Sequence, residues 1–235
     1  MIADALTGAA GAPSGAAGAS VVVFDFDGTL VDRDSVIDFA LRYCMRRPAR
    51  WLLLLVCLPL AAVMRFRSLA ASASVLLWAL TVGGSTRRFV LALREYAKAT
   101  LPGFAHEEIF AELTRHVSAG DHVVIATGTL PPLVRGLLGA RRHHRLPVVG
   151  SRLRRKWGGL VAETHCIGRV KVRELERRFG IVSWVSVYTD SFADRSLLSR
   201  ARNVTLVSPS NRTLRRTQRL LGGGTPLRVL EPRQR

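Results

Sequence analysis

The chain has 235 residues, of which 48% are hydrophobic, and this excludes intrinsic disorder for the chain as a whole. Its 35 Lys and Arg residues outnumber 17 Asp and Glu residues, which gives a formal net charge of +18. Such a surface favours phosphate groups, nucleic acid or an anionic membrane face as partners, and charge alone does not choose among them. The three cysteines are widely spaced and odd in number, which indicates reduced thiols rather than a disulfide framework.

The first part of the chain predicts a leader, a buried strand and a long helical region. Residues 1–20 are rich in Ala and Gly and lack the basic start and apolar run of a secretory signal, so we interpret them as a flexible leader. Residues 21–26 form a β-branched and aromatic run before Asp-Gly-Thr, which is typical of a buried strand that leads into a loop. A long helical region is predicted over residues 33–118.

An apolar segment over residues 51–84 lies within this helical region. Its first part, residues 51–64, has no charge and is flanked by arginines. Fourteen residues are too short for one simple span of a ~30 Å hydrocarbon core. Because this run is apolar on every side, it favours an interfacial or re-entrant helix, or a helical hairpin with the weaker run that follows. The alternative is a buried core helix in a soluble cap, since short apolar runs are usually core.

The remaining chain alternates predicted strands with helices. Further buried strands are predicted at residues 121–126, 183–188 and 203–207. Helices are predicted at about residues 131–138, 170–179 and 194–200, and an extended region with a turn at residues 147–163. This alternation predicts an α/β fold, a doubly wound parallel sheet with helices on both faces. From residue 222 onward we expect a loose basic tail, residues 222–235.

The strongest motif is the Asp25-Phe26-Asp27-Gly28-Thr29 segment, which directly follows the first predicted strand. Two carboxylates two residues apart at a strand end can both face one crevice, where open α/β sheets bind their ligands. One carboxylate can attack phosphorus while the other transfers protons. Gly28 allows the backbone to approach a phosphate, and we assign Gly28 and Thr29 to phosphate binding.

Three later features fit the same chemistry. Thr127 and Gly128 end the second strand and offer a hydroxyl and amides to a phosphate oxygen. Lys171 begins a helix and can offset negative charge. Asp190 and Asp194 follow the third strand and suit Mg²⁺, a cation that prefers oxygen ligands. Each residue alone has an ordinary alternative, namely a helix cap or a solvated surface charge, but the four features in this order favour one site.

With these motifs in order, the sequence resembles the haloacid dehalogenase superfamily phosphatases of subfamily IB. The resemblance implies a catalytic core with a Rossmann-like sheet, formed by residues 21–32 and 106–221. It also implies an inserted helical cap over residues 33–105, which here carries the hydrophobic, membrane-associated segment.

The resemblance further implies a role for each motif residue. Asp25 would be the nucleophile that forms an aspartyl-phosphate, and Asp27 the general acid and base. Thr127 would bind phosphate, and Lys171 would stabilise charge. The Mg²⁺ ion would be held by Asp25, the Asp27 carbonyl and Asp190, with Asp194 in support.

A narrower similarity is to the phosphatidylglycerophosphatase C family, through residues 127–134, Gly158-Gly159 and the arginine-flanked cap. These bacterial enzymes dephosphorylate phosphatidylglycerol phosphate. The similarity implies an anionic phospholipid substrate, a role in phospholipid biosynthesis and a place at the cytoplasmic face of the inner membrane. The alternative is a soluble cytoplasmic phosphatase for a small metabolite such as phosphoserine. No nucleic-acid-binding motif is present, so no nucleic-acid partner is expected.

Overall fold

The structure is a computed structural model that describes residues 20–45 and 47–232. The predicted leader, apart from residue 20, and the last three residues therefore lie outside the described residues. The strands of the main sheet are β1 Val21–Phe24, β2 His122–Ala126, β3 Val148–Val149, β6 Trp184–Thr189, β7 Ala201–Val207 and β8 Leu227–Leu230. They pair in parallel in the order β3-β2-β1-β6-β7-β8.

Helices cover both faces of this sheet. The α-helices are α1 Ser35–Met45, α2 Pro48–Arg67, α3 Leu69–Thr81, α4 Thr86–Ala99, α5 Glu107–Ser118, α6 Pro131–Ala140, α7 Arg169–Phe179, α8 Arg195–Leu198 and α9 Asn211–Leu221. A separate antiparallel hairpin consists of β4 Arg152–Lys156 and β5 Gly159–Thr164.

Strand β1 shows why the sheet is covered on both sides. Val22 and Phe24 belong to the apolar cluster that includes side chains of α4, α5 and α6. Val23 belongs to the opposite cluster, with side chains of α7 and α8. Because successive side chains of a strand point to opposite faces, a continuous apolar run requires two cores. The predicted doubly wound α/β fold is confirmed.

The predicted continuous helical region is divided into five helices. Ser68 separates α2 from α3, and its side chain accepts a hydrogen bond from Ala71 N at 3.0 Å as an N-cap. A turn at Gly83 and Gly84 then separates α3 from α4. A serine cap and a glycine turn thus separate helices that the apolar pattern alone predicts as continuous.

The prediction of a loose tail from residue 222 needs correction. Residues Leu227–Leu230 form β8 and add to the edge of the sheet, where Leu227 pairs with Val204. The run Leu-Arg-Val-Leu is short and half-exposed, so it gives a weak strand signal on its own. Its pairing with β7 supplies the hydrogen bonds that a loose tail would lack.

The β4–β5 hairpin packs on α3 and joins the inserted helices. Leu160 N donates to Thr81 Oγ1 at 2.7 Å, and Ala162 N donates to Ser74 Oγ at 3.1 Å. Side-chain hydroxyls of α3 thereby satisfy amides of β5 that have no strand partner on that side. The unit formed by α2, α3 and this hairpin is called the cap module below.

Helix α4 lies within the predicted cap range but packs on the core. A Cβ atom added at Gly136 of α6 would lie 2.5 Å from Ala97 Cβ of α4, so the two helices are in close contact. Phe89 and Leu93 of α4 are buried in the same cluster as Leu133 and Leu137 of α6.

Helix α2 keeps most of its apolar side chains exposed to solvent. Ala49–Arg67 is long and apolar enough to cross a membrane by length and composition, and only 11% of its apolar window is buried. The apolar run appeared too short for a span, but the helix extends through its flanking arginines to 20 residues. The exposed fractions of Leu52, Val56 and Phe66 are 68%, 75% and 93%, so the other described residues of this chain do not bury this side of α2.

Candidate active site

Parallel pairing brings the predicted site residues to one edge of the sheet. Phe24 of β1 is in register with Ile125 of β2 on one side and Tyr188 of β6 on the other. Asp25, Thr127 and Asp190, which follow these three strands, therefore leave the sheet at the same edge, with neighbouring strands about 4.8 Å apart. The chain runs from β1 to β2 and β3 on one side and resumes with β6 on the other, so this edge is a topological switch point.

An ion-pair network links three of the predicted site residues, Asp25, Lys171 and Asp194. Lys171 Nζ lies 2.9 Å from Asp25 Oδ1 and 2.7 Å from Asp194 Oδ2. Phe26 N donates to Asp25 Oδ1 at 2.7 Å, and Thr189 Oγ1 donates to Asp194 Oδ2 at 3.0 Å. All three charged side chains are buried. The ammonium group and the Asp25 carboxylate are consequently held in fixed positions before any substrate arrives.

Burial and charge act against each other in this network. Burial disfavours the charge of Lys171, but Asp194 and Asp25 outweigh burial and raise its pKa above the ordinary value. Burial raises the pKa of Asp25 well above 3.8; Lys171 opposes this rise and Asp194 adds to it. One buried ammonium thus contacts two buried carboxylates. When both carboxylates are ionised, these three side chains carry one net negative charge.

Asp27 is held by a different set of contacts. Ser35 N donates to Asp27 Oδ1 at 3.0 Å, and Ser35 Oγ lies 3.1 Å from Thr129 Oγ1. Burial raises the pKa of Asp27 to about 6, although hydrogen bonds from Ser35 oppose the rise. A carboxyl with a pKa near neutrality can both donate and accept a proton at physiological pH.

We expect Asp27→Asn to stabilise the protein at pH 7.5 by about 1–2 kcal/mol. The pKa of Asp27 rises from 3.8 to about 6 on folding, so ionisation is costly in the folded state above pH 6 and makes no difference below about pH 4. The advantage of the variant should therefore vanish as the pH falls to 4. Urea unfolding at the two pH values measures this.

The matched control for this prediction is Asp32→Asn, because Asp32 is exposed. It should change the free energy of unfolding by less than about 0.5 kcal/mol at both pH values. A wild-type protein that is more stable than Asp27→Asn at pH 7.5 would contradict the argument.

Asp190 lies against the turn that contains Gly28. Gly28 has a φ of +72°, and a Cβ atom added there would lie 2.4 Å from Asp190 Oδ2. Only glycine fits this left-handed conformation and this close approach. Burial raises the pKa of Asp190; Asp194 adds to this rise and Lys171 opposes it, so Asp190 lies within electrostatic reach of the Lys171–Asp194 pair.

The donor set around Gly28 fits a hard cation. In the part of the chain that the structure describes, no three His, Cys, Asp or Glu side chains are grouped to hold a metal ion. Asp25 and Asp190 offer two carboxylates, and Asp27 adds a main-chain carbonyl. Mg²⁺ is commonly bound by one or two carboxylates together with water and substrate phosphate. A bound cation would also offset the cost of burying these two carboxylates, whose pKa values are raised by burial.

The two predicted phosphate-binding threonines have different surroundings. Thr127 Oγ1 accepts a hydrogen bond from Thr129 N at 3.0 Å and keeps its own proton to donate to a phosphate oxygen. Thr29 is fully buried, and its hydroxyl has no hydrogen-bond partner within residues 20–45 and 47–232. Its carbonyl lies 2.8 Å from His106 Nδ1. The structure thus provides no contact that brings the Thr29 hydroxyl toward a phosphate.

Sequence reasoning missed the polar side chains that hold the loops together. Ser151 Oγ donates to Gly128 O at 2.5 Å and accepts from Cys166 N at 3.0 Å. Ser35 connects the Asp27 loop to Thr129. These serines carry no motif, and Thr129, Gly128 and Cys166 lie 15 or more residues away from them in sequence. Cys166 is unsuited to be a nucleophile, because burial raises the pKa of its thiol to about 12.

The family model described as haloacid dehalogenase-like hydrolase matches residues 22–199. The chain belongs to this family. The matched range includes every motif residue from Asp25 to Asp194, and it confirms the prediction of a hydrolytic enzyme.

Solved structures share the fold of this haloacid dehalogenase-like hydrolase. A Bordetella pertussis Tohama I protein of unknown function has a TM-score of 0.69 and 18% identity, over 91% of this chain and 99% of that chain. A phosphoserine phosphohydrolase-like protein from Francisella tularensis has a TM-score of 0.57 and 14% identity, over 91% and 95%. A phosphoserine phosphatase in apo form has a TM-score of 0.57 and 16% identity, over 91% and 94%. At 14–18% identity, these similarities show a shared fold over about nine tenths of the chain.

Proposed function

We propose that this chain is a Mg²⁺-dependent phosphomonoesterase that acts through an aspartyl-phosphate on an anionic phospholipid, such as phosphatidylglycerol phosphate. The chemistry depends on one observation, the contact of buried Lys171 with both Asp25 and Asp194. A nucleophilic carboxylate next to a fixed ammonium can receive a phosphoryl group whose negative charge the ammonium balances.

The proposed first step forms a bond between Asp25 and phosphorus. Oδ1 already accepts from Phe26 N and contacts Lys171 Nζ, so Oδ2 is the oxygen that attacks. The bond between phosphorus and the leaving oxygen breaks, and the protonated Asp27 gives its proton to that oxygen. In the second step, ionised Asp27 takes a proton from the water that attacks the phosphoryl group. Inorganic phosphate leaves, and Asp25 is regenerated.

The metal would add positive charge beyond the single charge of Lys171, which already lies beside Asp25. Asp25, the Asp27 carbonyl and Asp190 would hold Mg²⁺, and the ion would neutralise phosphate oxygens. Lys171 and the Thr127 hydroxyl would contact the same phosphoryl group from the protein side.

The proposed lipid substrate rests on the exposed face of α2. A soluble surface rarely presents so many large apolar side chains together, so this face needs a partner. Arg47 and Arg50 precede the apolar stretch, while Arg65 and Arg67 follow it. Arginines at both ends of an apolar helix match the phosphates of an anionic membrane surface around a hydrocarbon layer.

Two exposed tryptophans mark one end of this helix. Arg50 Nη1 donates to Ala79 O at 3.3 Å, which ties the start of α2 to the end of α3. Trp78 Nε1 donates to Trp157 O at 2.8 Å, so the hairpin turn lies at the same end of the cap module. The exposed fraction of Trp157 is 74%, and Trp51 begins the apolar run. Tryptophan and arginine together are typical of the membrane–water interface.

A second candidate is a phosphatase for a small metabolite such as phosphoserine. The solved phosphoserine phosphatases share the fold over most of this chain, and phosphoserine is small and soluble. In that case the face of α2 would be covered by protein, for example by a second copy of this chain.

Phosphate release from phosphatidylglycerol phosphate, phosphatidic acid and phosphoserine, measured side by side with Mg²⁺, tests the proposal. We expect turnover of a phospholipid monoester at least about 100-fold above that of phosphoserine. Only the lipid has acyl chains that can gain binding energy from apolar contacts. Faster turnover of phosphoserine would assign the second function instead. Removal of Mg²⁺ with a chelator should abolish all three activities.

We expect the triple variant Leu52→Gln/Val56→Gln/Phe66→Gln to bind vesicles of phosphatidylglycerol and phosphatidylcholine about 100-fold more weakly than wild type. The three side chains are exposed on α2, and each should contribute about 1 kcal/mol on entering lipid. Cosedimentation with vesicles measures the change.

The control is Leu91→Gln/Val117→Gln/Val182→Gln, which alters exposed apolar residues outside α2. Its vesicle binding should match that of the wild type. Equal binding by all three proteins would show that α2 does not dock on lipid.

A further inference from the structure

A concave surface lies between α7, α8 and the end of α9. This cavity has a volume of about 450 Å³ and its polar lining includes Arg169, Arg173, Arg195, Arg200, Glu176 and Ser196. None of the predicted catalytic or metal-binding residues lines it. The volume falls within the usual range for small-molecule sites.

The charges in this cavity are not balanced by the protein. Arg200 contacts Glu176, the one acidic residue of the lining, and also donates to Val182 O. Among the described residues, Arg169, Arg173 and Arg195 form no ion pair, side-chain hydrogen bond or ring contact with another residue. These three arginines therefore line the same concave surface, and none of them has a partner among the described residues.

The three arginines are exposed, and a bound anion would offset the mutual repulsion of their like charges. Arg169 and Arg173 are four residues apart on α7, where like charges repel each other. Arg195 begins α8 and lines the same cavity from a second helix. Guanidinium groups on two helices can bind phosphate oxygens from two sides, and each can donate two parallel N–H hydrogen bonds.

We propose that this arginine cleft, lined by Arg169, Arg173 and Arg195, is a second anion site that binds a multiply charged phosphate group. The group is either a free anion or the headgroup of an anionic lipid, and both offer the same oxygens. The inference does not depend on the phosphatase chemistry, because no residue of the candidate active site contributes to the cleft.

The cleft is connected to the active site through its helices. Arg169 lies on α7 two residues before Lys171, and Arg195 directly follows Asp194. An anion bound across α7 and α8 would hold together the two segments that carry the Lys171–Asp194 ion pair. Occupancy of the cleft should therefore stabilise the fold and favour the catalytic arrangement of Lys171.

The test compares two triple variants of the full chain that lose the same charge. The cleft variant is Arg169→Gln/Arg173→Gln/Arg195→Gln. The matched control is Arg202→Gln/Arg212→Gln/Arg215→Gln, which alters exposed arginines outside the cleft. Titration calorimetry with inorganic pyrophosphate in the presence of a chelator measures a free anion, and cosedimentation with phosphatidylcholine vesicles containing phosphatidic acid measures a headgroup.

We expect the cleft variant to lose affinity by about 30-fold or more in at least one of these assays, while the control stays within about twofold of wild type. A loss confined to pyrophosphate identifies a free anion as the ligand, and a loss confined to vesicles identifies a headgroup. Equal losses in both triple variants, or no loss in the cleft variant, would overturn the proposal. The single variant Arg173→Gln repeats the comparison against Arg212→Gln if the triple variant does not fold.

Discussion

Asp25→Asn should lower the turnover of a phosphomonoester by at least about 10⁴-fold, because an amide oxygen is a poor nucleophile toward phosphorus. The variant has nearly the same shape as the wild-type side chain, so its carbonyl can still accept from Phe26 N. Phosphate release in the presence of Mg²⁺ measures the loss.

The folded structure should survive this substitution. Burial already raises the pKa of Asp25, so a neutral side chain at this position removes the cost of a buried charge. Lys171 keeps Asp194 as its second partner at 2.7 Å. Thermal unfolding should therefore show a change in stability of no more than about 1 kcal/mol in either direction.

Acid quenching provides an independent measurement on the same pair of proteins. Wild type mixed with substrate should carry an acid-stable, hydroxylamine-sensitive phosphoryl group on Asp25, and the variant should carry none. Normal turnover in Asp25→Asn would remove Asp25 from the mechanism.

Lys171→Met should destabilise the protein by about 3–5 kcal/mol at pH 7.5 and abolish activity. The substitution leaves the buried carboxylates of Asp25 and Asp194 without the ammonium that lies within 3 Å of both. Urea unfolding at several pH values measures the change.

The loss of stability should depend on pH in a defined direction. Without Lys171, burial raises the pKa of Asp25 unopposed, so the folded state of the variant binds protons more readily than the unfolded state. The variant should therefore recover stability as the pH falls from 7.5 toward 5, where protonation removes the uncompensated charge. A constant deficit across this range would contradict an electrostatic origin.

The double variant Lys171→Met/Asp194→Asn separates stability from catalysis. It removes one of the two buried charges together with the ammonium, so it should regain about half of the lost stability. Activity should remain absent, because no positive charge then lies beside Asp25. Recovery of activity in the double variant would show that Lys171 serves only to balance Asp194.

Several features of this protein are contained in short stretches of sequence. The apolar run before Asp25 predicts a strand buried on both faces, and Val22, Val23 and Phe24 are fully buried. Gly180 predicts the end of α7 and indeed has a left-handed φ of +67°. Because each motif follows a predicted parallel strand directly, the sequence also predicts that the motif residues meet at one edge.

The tertiary structure alone decided how distant segments meet. The hairpin joins α3 through Leu160 and Thr81, and Ser35 at the start of α1 reaches Thr129 in the loop after β2. Strand β8 is stable only beside β7, since its own four residues bury little apolar surface. Periodicity within a segment specifies which side of that segment is apolar, but not which other segment covers it.

The same distinction applies to the two surfaces that carry the proposals. The sequence determined that residues 51–64 are apolar and that arginines are abundant. Only the structure decided that α2 stays uncovered and that Arg169, Arg173 and Arg195 line one cavity without acidic partners. Composition and local pattern determine secondary structure and motif chemistry, because these depend on neighbours along the chain. Exposure and charge compensation depend on neighbours in space, which the packing of the whole chain determines.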